Sequence, residues 1–159
     1  MLIAKEEKTL FLPDLAATAE LGRQLGRIAQ HGDVLLLHGG LGVGKTTLTQ
    51  AIAAGLGVPS NQYVSSPSFA LLHEYQGRLP LFHLDCYRLA GEEDVEGAGL
   101  LEYIGRTGLT VVEWPERLDS LQPAERLDVF LEAVSESGRR CRLEAQGWGK
   151  ERLAQLHCR

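Results

Sequence analysis

One short segment constrains this chain more than any other. Residues Gly39–Thr46 have the sequence Gly-Gly-Leu-Gly-Val-Gly-Lys-Thr, which fits the pattern G-x-x-x-x-G-K-[ST]. The segment follows the aliphatic run Val34–Leu37 and opens a helical stretch, Lys45–Ala54, that should end at Gly55 or Gly57. A strand, a glycine-rich turn and a helix in this order build a loop whose backbone N–H groups surround a phosphate. The segment therefore predicts nucleotide binding.

Each residue type in this segment has a task in phosphate binding. Glycine adopts backbone conformations that other residues avoid, so successive N–H groups can converge on one anion. We expect the Lys45 ammonium group to reach the β- and γ-phosphates and the Thr46 hydroxyl to bind Mg²⁺. The nucleotide contacts expected here are Gly39, Gly40, Leu41, Gly42, Val43, Gly44, Lys45, Thr46 and Thr47.

Two carboxylates follow apolar runs and are candidate partners of a phosphate-bound metal ion. Asp85 ends the run Leu81–Leu84, and Glu113 ends Leu109–Val112. The carboxyl ends of neighbouring parallel strands meet at one edge of a sheet, so both positions deliver an acid to the phosphates. Glu113 is preferred beside the metal because its run is the more continuously apolar. The alternative for each acid is a carboxylate that only caps a loop or forms an ion pair with Arg88 or Arg117.

The segment Ser65–Ser68 has the sequence Ser-Ser-Pro-Ser, and Ser66 and Ser68 are candidate nucleotide contacts. Hydroxyl groups and a proline of fixed φ suit a loop that orders around a γ-phosphate. A simple turn leading into a strand is the alternative interpretation.

Other side chains give weaker indications. Trp114 is a candidate nucleotide or partner contact, or part of the core. The five histidines show no metal-ligand spacing, and we interpret all of them as structural. Three distant cysteines predict neither a disulfide framework nor a zinc site, as in a reducing cytosol. No lysine lies between Lys45 and Lys150, which excludes the guanine-specific pattern N-K-x-D and favours ATP over GTP.

Composition places the chain among ordinary globular proteins. Its 159 residues, 44% hydrophobic and 23% charged, predict one domain over residues 1–159. The net charge of -5 argues against direct binding of RNA, since phosphate neutralisation requires a basic surface. The first seven residues contain no long apolar run, and Val34–Leu37 is far too short to cross a bilayer. We therefore expect an untargeted cytoplasmic protein without a membrane span.

Hydrophobic spacing predicts alternating helices and strands. The predicted helices cover Leu15–Ala29, Lys45–Ala54 and Glu92–Tyr103, and the predicted strands cover Val34–Leu37, Phe69–Tyr75, Leu79–Leu84, Leu109–Val112, Arg126–Val134 and Arg140–Ala145. Residues Gln76–Arg78 suit a hairpin turn. The last two strands alternate apolar and polar residues, which indicates a half-exposed antiparallel pair. The fold class predicted is α/β: a three-layer P-loop fold whose central sheet is mostly parallel, with a small antiparallel C-terminal extension.

Four blocks of sequence resemble one known family. They are LHGGLGVGKTT at Leu37–Thr47, SPSF at Ser66–Phe69, FHLDCYRL at Phe82–Leu89 and VVEWPER at Val111–Arg117. In order, spacing and chain length they are similar to the TsaE (YjeE) family, bacterial ATPases of tRNA threonylcarbamoyladenosine biosynthesis. The resemblance extends from about Leu12 to about Leu143.

The resemblance implies a Mg²⁺-dependent ATPase that binds the TsaB–TsaD pair and supports repeated threonylcarbamoyl transfer to the adenosine beside the anticodon. Contact with tRNA is implied only through that complex. The residues implied by position are Thr46 and Glu113 for Mg²⁺, Gly39–Thr46 for the phosphates, Lys45, Asp85 and Glu113 for catalysis, Ser66–Ser68 for a switch-like loop, and Thr18 and Arg139 near the nucleoside.

Two positions depart from the family pattern, and two other functions remain open. Gly40 stands where the family usually has Asp, which adds loop freedom and removes a contact; Cys86 replaces an aliphatic residue, with no expected effect. One alternative is a small-molecule P-loop kinase, whose arginine-bearing lid has only Glu92–Arg106 as a candidate. The other is a nucleotide-dependent binding switch without catalysis.

Overall fold

A seven-stranded mixed sheet forms the centre of the molecule, with strand order β1-β7-β6-β2-β5-β4-β3. The computed structural model describes residues 4–158; residues 1–3, part of the N-terminal segment considered above, lie outside this range. The strands are β1 (Lys5–Leu12), β2 (Val34–His38), β3 (Leu72–Gln76), β4 (Pro80–Asp85), β5 (Leu109–Glu113), β6 (Arg126–Ala133) and β7 (Arg139–Gln146). The helices are α1 (Leu15–Ile28), α2 (Lys45–Gly55), α3 (Glu92–Gly97) and α4 (Lys150–Ala154), with 3₁₀ helices at Leu100–Tyr103 and Pro115–Leu121. Every helix within residues 4–158 is too short or too polar to span a lipid bilayer.

The middle of the sheet is parallel and both of its edges are antiparallel. β2 pairs in parallel with β5 and β6, and β4 pairs in parallel with β5. The pairs β3–β4, β6–β7 and β1–β7 are antiparallel. The predicted mostly parallel sheet is therefore wrong, since three of the six described strand pairs are antiparallel, and the expected C-terminal extension is corrected in two ways. β6 belongs to the parallel centre as well as to the hairpin, and the outermost antiparallel strand on that side comes from the N-terminus.

The sheet is covered on both faces, which gives the predicted three layers. On β2, Leu35 and Leu37 belong to the cluster that contains the apolar side chains of α1 and α2. Val34 and Leu36 belong to a second cluster with residues of α3 and the 3₁₀ helices. A strand buried on both faces has a continuous apolar run rather than an alternating one. This explains the sequence that precedes the glycine-rich loop.

Close packing of α1 on α2 fixes the helix that follows the loop. Asp14 caps α1, because its Oδ1 accepts the N–H of Ala17 at 2.8 Å. A Cβ atom at Gly22 would lie 2.5 Å from the Cβ of Ala51, and one at Gly26 would lie 2.2 Å from a carbonyl of α2. The two glycines therefore permit the approach of the helices.

The structure confirms the core elements and corrects several boundaries. The two long helices, β2, β5 and the hairpin between β3 and β4 lie where the sequence predicts them. The strand predicted from Phe69 begins only at Leu72, because Leu71 has a φ of 69° and its N–H donates to the Pro67 carbonyl in a turn. The helix predicted over Glu92–Tyr103 divides at Gly99, where φ is 74°. Strand β1 and helix α4 are absent from the sequence prediction.

Candidate active site

The glycine-rich loop connects the end of β2 to the first residue of α2. Gly42 and Gly44 have φ values of 73° and 115°, which favour glycine over residues with a side chain. Gly44 is the N-cap residue of α2, and the first turn of that helix contains no acidic residue. The helix N-terminus therefore presents backbone N–H groups and a partial positive charge without a competing carboxylate.

Lys45, the first residue of α2, lies inward and is only 6% exposed. Its Nζ donates to the Gly39 carbonyl at 2.8 Å and lies 4.2 Å from the ring centroid of Trp114. The ammonium group is thus held between the start of the loop and an aromatic face by a hydrogen bond and a cation–π contact.

The two predicted acids lie side by side. Asp85 at the end of β4 is in register with Glu113 at the end of β5. Ser66 joins them, because its Oγ lies 2.7 Å from Asp85 Oδ2 and 3.2 Å from Glu113 Oε2. Ser68 Oγ lies 3.3 Å from the same oxygen of Asp85. A hydroxyl donates one proton, so Ser66 can satisfy only one of the two carboxylates at a time.

His83 is a site residue that the sequence analysis interprets as structural. Its Nε2 lies 2.7 Å from Glu113 Oε2, and an ionised carboxylate accepts only, so the imidazole donates. The ring is fully buried, and its Nδ1 has no hydrogen-bond partner among the described residues. The sequence does contain a signal: His83 precedes Asp85 by two residues on one strand, which places both side chains on the same face.

Trp114 and Tyr87 form the aromatic wall of the site. Trp114 follows β5 with a φ of 58°, and its ring centroid lies 5.0 Å from that of Tyr87. The N–H of Tyr87 donates to Asp85 Oδ1 at 2.9 Å, which fixes the carboxylate from the side opposite Ser66. Trp114 lines the cavity of the site and also packs, partly buried, against the second core cluster, so both a place in the site and a place beside the core agree with the structure.

A cavity of about 420 Å³ unites most of the residues predicted for the site. Its lining consists of Leu41, Gly42, Gly44, Lys45, Thr46, Thr47, Ser66, Ser68, Asp85, Tyr87, Glu113 and Trp114. Gly39, Gly40 and Val43 belong to the same loop without lining the cavity. Gly40 has open space around its Cβ position, so an Asp there would fit. A larger cavity of about 750 Å³ lies along α1 and contains no residue of the loop.

Thr18 and Arg139, expected near a nucleoside, lie outside the lining of this cavity. Thr18 is 1% exposed within α1, and its hydroxyl donates to the Asp14 carbonyl at 3.4 Å. Arg139 is also buried, and its Nε donates to the Val43 carbonyl at 2.7 Å. Nucleotide contact by either residue stays a prediction, while the observed contact of Arg139 is with the backbone of the loop.

The residues present suit a magnesium nucleotide. Within residues 4–158 there is no cluster of three or more His, Cys, Asp and Glu side chains that could hold a metal ion alone. Magnesium at nucleotide sites takes one or two protein oxygens together with phosphate and water oxygens. The exposed hydroxyl of Thr46 and the carboxylate of Glu113 face the same cavity and provide such a pair.

Comparison with known proteins gives consistent results. The family model for "Threonylcarbamoyl adenosine biosynthesis protein TsaE" matches residues 12–141. The protein named "tRNA threonylcarbamoyladenosine biosynthesis protein TsaE" of Bacillus subtilis is 37% identical over 139 residues, which cover 87% of this chain and 85% of that protein. The protein of the same name from Mycobacterium tuberculosis is 34% identical over 151 residues, covering 89% and 88%.

A solved structure agrees with the sequence matches. The crystal structure of YdiB from Bacillus subtilis superposes with a TM-score of 0.73 at 29% sequence identity, covering 98% of this chain and 93% of that one. The matched region includes the loop, both carboxylates and all the parallel strands. From its sequence and its fold, this chain belongs to the TsaE family.

Proposed function

We propose that the chain is a single P-loop NTPase domain over residues 1–159 that hydrolyses ATP with Mg²⁺ in the biosynthesis of tRNA threonylcarbamoyladenosine. The pathway follows from the family and from the names of its relatives. The observation that carries the activity is one cavity that contains the loop, Lys45 and two adjacent carboxylates, Asp85 and Glu113. These are the groups that phosphoryl transfer requires. ATP and tRNA are cytoplasmic, and we place the protein there.

Each residue of the cavity has a role in this proposal. The N–H groups of the loop and the Lys45 ammonium group bind the phosphate chain and stabilise the charge that accumulates during transfer. Thr46 and Glu113 would hold Mg²⁺, which when bound withdraws charge from the phosphate oxygens. Asp85 or Glu113 orients the attacking water. Ser66 and Ser68 bond to Asp85, so this loop can respond to changes at the phosphates.

The partner proposed is the TsaB–TsaD pair, with tRNA contacted only through that complex. The formal charge of -5 supports this arrangement, because an acidic protein does not bind the phosphates of RNA by itself. Two side chains of the cavity lining, Leu41 and Tyr87, are exposed and apolar, as is Phe69 next to Ser68 in the chain, and they suit a protein partner better than a nucleic acid.

The structure gives little support to the kinase alternative. A lid kinase places an arginine over the phosphates, and Glu92–Arg106 is the candidate segment. Arg106 lines a separate cavity with His31 and Asp33, which precede β2. It therefore lies at the N-terminal end of β2, whereas the loop follows the C-terminal end. The segment therefore does not supply that arginine.

The proposal is tested by reconstituting the modification. Purified TsaB–TsaD, tRNA, ATP and the threonylcarbamoyl donor are combined with this chain or with its Lys45→Met variant, and modified adenosine is counted per complex. We expect many turnovers with the wild-type chain and about one with the variant. Equal yields with both chains would contradict the proposal. ADP formation that depends on an added nucleoside or sugar would favour a kinase.

A further inference from the structure

A buried arginine ties the turn between β6 and β7 to the glycine-rich loop. Arg139 is 8% exposed, and its Nε donates to the Val43 carbonyl at 2.7 Å. Its Nη1 donates to the Gly138 carbonyl at 2.8 Å and lies 3.2 Å and 3.4 Å from the carbonyls of Ser135 and Glu136. One guanidinium group therefore joins the turn to a single peptide of the loop.

This contact determines which way the peptide between Val43 and Gly44 faces. The C=O and N–H groups of a trans peptide point in opposite directions, and the described chain contains no cis peptide. Because the Val43 carbonyl is directed at Arg139, the Gly44 N–H is directed away from it. Gly44 lines the candidate active site and Arg139 does not. We propose that Arg139 is a positioning residue that holds the Gly44 N–H toward the phosphate chain of the nucleotide.

The Val43 side chain is buried in the core, but the backbone beside this peptide has room to turn. Val43 lies between Gly42 and Gly44, and a Cβ atom at either glycine would meet no atom within 4 Å. Two glycines in open space permit the peptide to turn over. The reversed peptide would direct the Val43 carbonyl oxygen at the phosphates, where it repels them. The hydrogen bond from Arg139 opposes this reversal.

The positive charge of Arg139 also favours binding of the phosphate chain. Among the described residues no carboxylate forms an ion pair with it, and backbone carbonyl oxygens accept the hydrogen bonds from its Nε and Nη1. A buried cation without an anion is costly to fold. The uncompensated positive charge behind the loop attracts the phosphate chain and adds to the charge of Lys45.

The inference rests on the proposed function and deepens it, and inorganic pyrophosphate is the probe that tests it. Binding of pyrophosphate and of ADP, both with Mg²⁺, is measured by calorimetry for the wild type, Arg139→Gln and Arg139→Lys. The control is Arg140→Gln, an equal change of charge at the exposed neighbour. We expect Arg139→Gln to weaken both ligands by about tenfold or more, Arg139→Lys to recover part of the loss, and the control to match the wild type.

The outcomes separate this inference from the proposed function. If Arg139→Gln weakens ADP but not pyrophosphate, Arg139 contacts the nucleoside directly and the inference is wrong. If wild type and Arg139→Gln bind both ligands equally, only the inference fails. A wild-type chain that binds neither pyrophosphate nor ATP overturns the proposed function and the inference together.

A measurement on the wild type keeps the inference testable if the variants do not fold. In ¹H–¹⁵N spectra, the Arg139 Nε–H should be protected from solvent exchange both before and after pyrophosphate is added. The Gly44 amide should shift strongly on addition. Loss of the protected Nε–H signal in the bound state, or an unshifted Gly44 amide, would contradict the proposed positioning role.

Discussion

Asp85 and Glu113 lie in register on adjacent parallel strands and compete for the one proton of the Ser66 hydroxyl. Both carboxylates are nearly buried, with exposures of 3% and 4%. Only one of the two carboxylates can accept that proton at a time, so the other goes without this hydrogen bond. Two adjacent carboxylates that line one cavity are suited to a bound cation.

Asp85→Asn should stabilise the fold and abolish the activity. An Asn side chain keeps an oxygen for the Tyr87 N–H and offers an N–H to Ser66, whose own proton then goes to Glu113. We expect the free energy of unfolding to rise by about 1 kcal/mol and ATP turnover to fall by about 100-fold or more. Urea unfolding and ADP release check this, with the exposed Glu132→Gln as control. An active variant would remove Asp85 from the catalytic residues.

His83 should act through Glu113 rather than through folding alone. The amide nitrogen of Gln can replace Nε2 of the imidazole, whereas that of the shorter Asn cannot. His83→Gln should therefore retain kcat for ATP within about threefold, and His83→Asn should lower kcat at least about tenfold with little change in KM. Thermal unfolding of each variant separates this effect from loss of structure. Equal kcat values for the two variants would refute the positioning of Glu113 by His83.

Asp128 should make the fold sensitive to acid. Burial raises the pKa of this carboxyl, but hydrogen bonds with His38 and Arg126 outweigh it and hold the pKa below its ordinary value. Because the folded pKa lies below the unfolded one, the stabilisation is complete above about pH 4 and is lost as the pH falls through the folded pKa.

The measurement is urea unfolding from pH 6 to pH 3 for the wild type and Asp128→Asn. We expect the variant to be less stable at pH 6 by roughly 2 kcal/mol and to lose less stability on acidification. Parallel pH profiles for the two proteins would show that Asp128 contributes nothing to the acid response.

The thiols of Cys86 and Cys141 should be inert in the folded protein. Burial raises the pKa of both to about 12, and the negative charge of Asp85 adds to the effect at Cys86. At pH 8 only about one thiol in ten thousand is then the reactive thiolate. In a Cys158→Ser background, iodoacetamide should modify neither cysteine until urea unfolds the chain. Rapid labelling of native protein would contradict this prediction.

The parts of the fold that the sequence predicts are those with a local signal. The loop Gly39–Thr46 combines glycines, Lys45 and Thr46 at fixed spacing, and β2 and β5 are continuous apolar runs because both of their faces are buried. Each of these features is specified by neighbouring residues. The positions of Lys45, Asp85 and Glu113 in one cavity then follow from the direction of parallel strands.

The features that the sequence does not reveal depend on distant contacts. β1 begins with Lys5, Glu6, Glu7 and Lys8, which resemble a solvated tail, and pairing with β7 alone makes it a strand. His83 resembles any polar residue on an apolar strand until β5 places Glu113 beside it. The contact between Arg139 and Val43 likewise forms only in the folded protein, because the two residues are 96 positions apart in the sequence.

We propose that this cavity hydrolyses ATP in the service of the TsaB–TsaD pair. The most direct test is ATP turnover with Mg²⁺ by the purified chain, alone and with TsaB–TsaD, beside Lys45→Met and the exposed control Lys5→Met. We expect weak ATP turnover by the chain alone and strong stimulation by the pair. Lys45→Met should lose both the basal turnover and the stimulation, and Lys5→Met should retain both. Turnover that is indifferent to the pair, or that survives in Lys45→Met, would contradict the account.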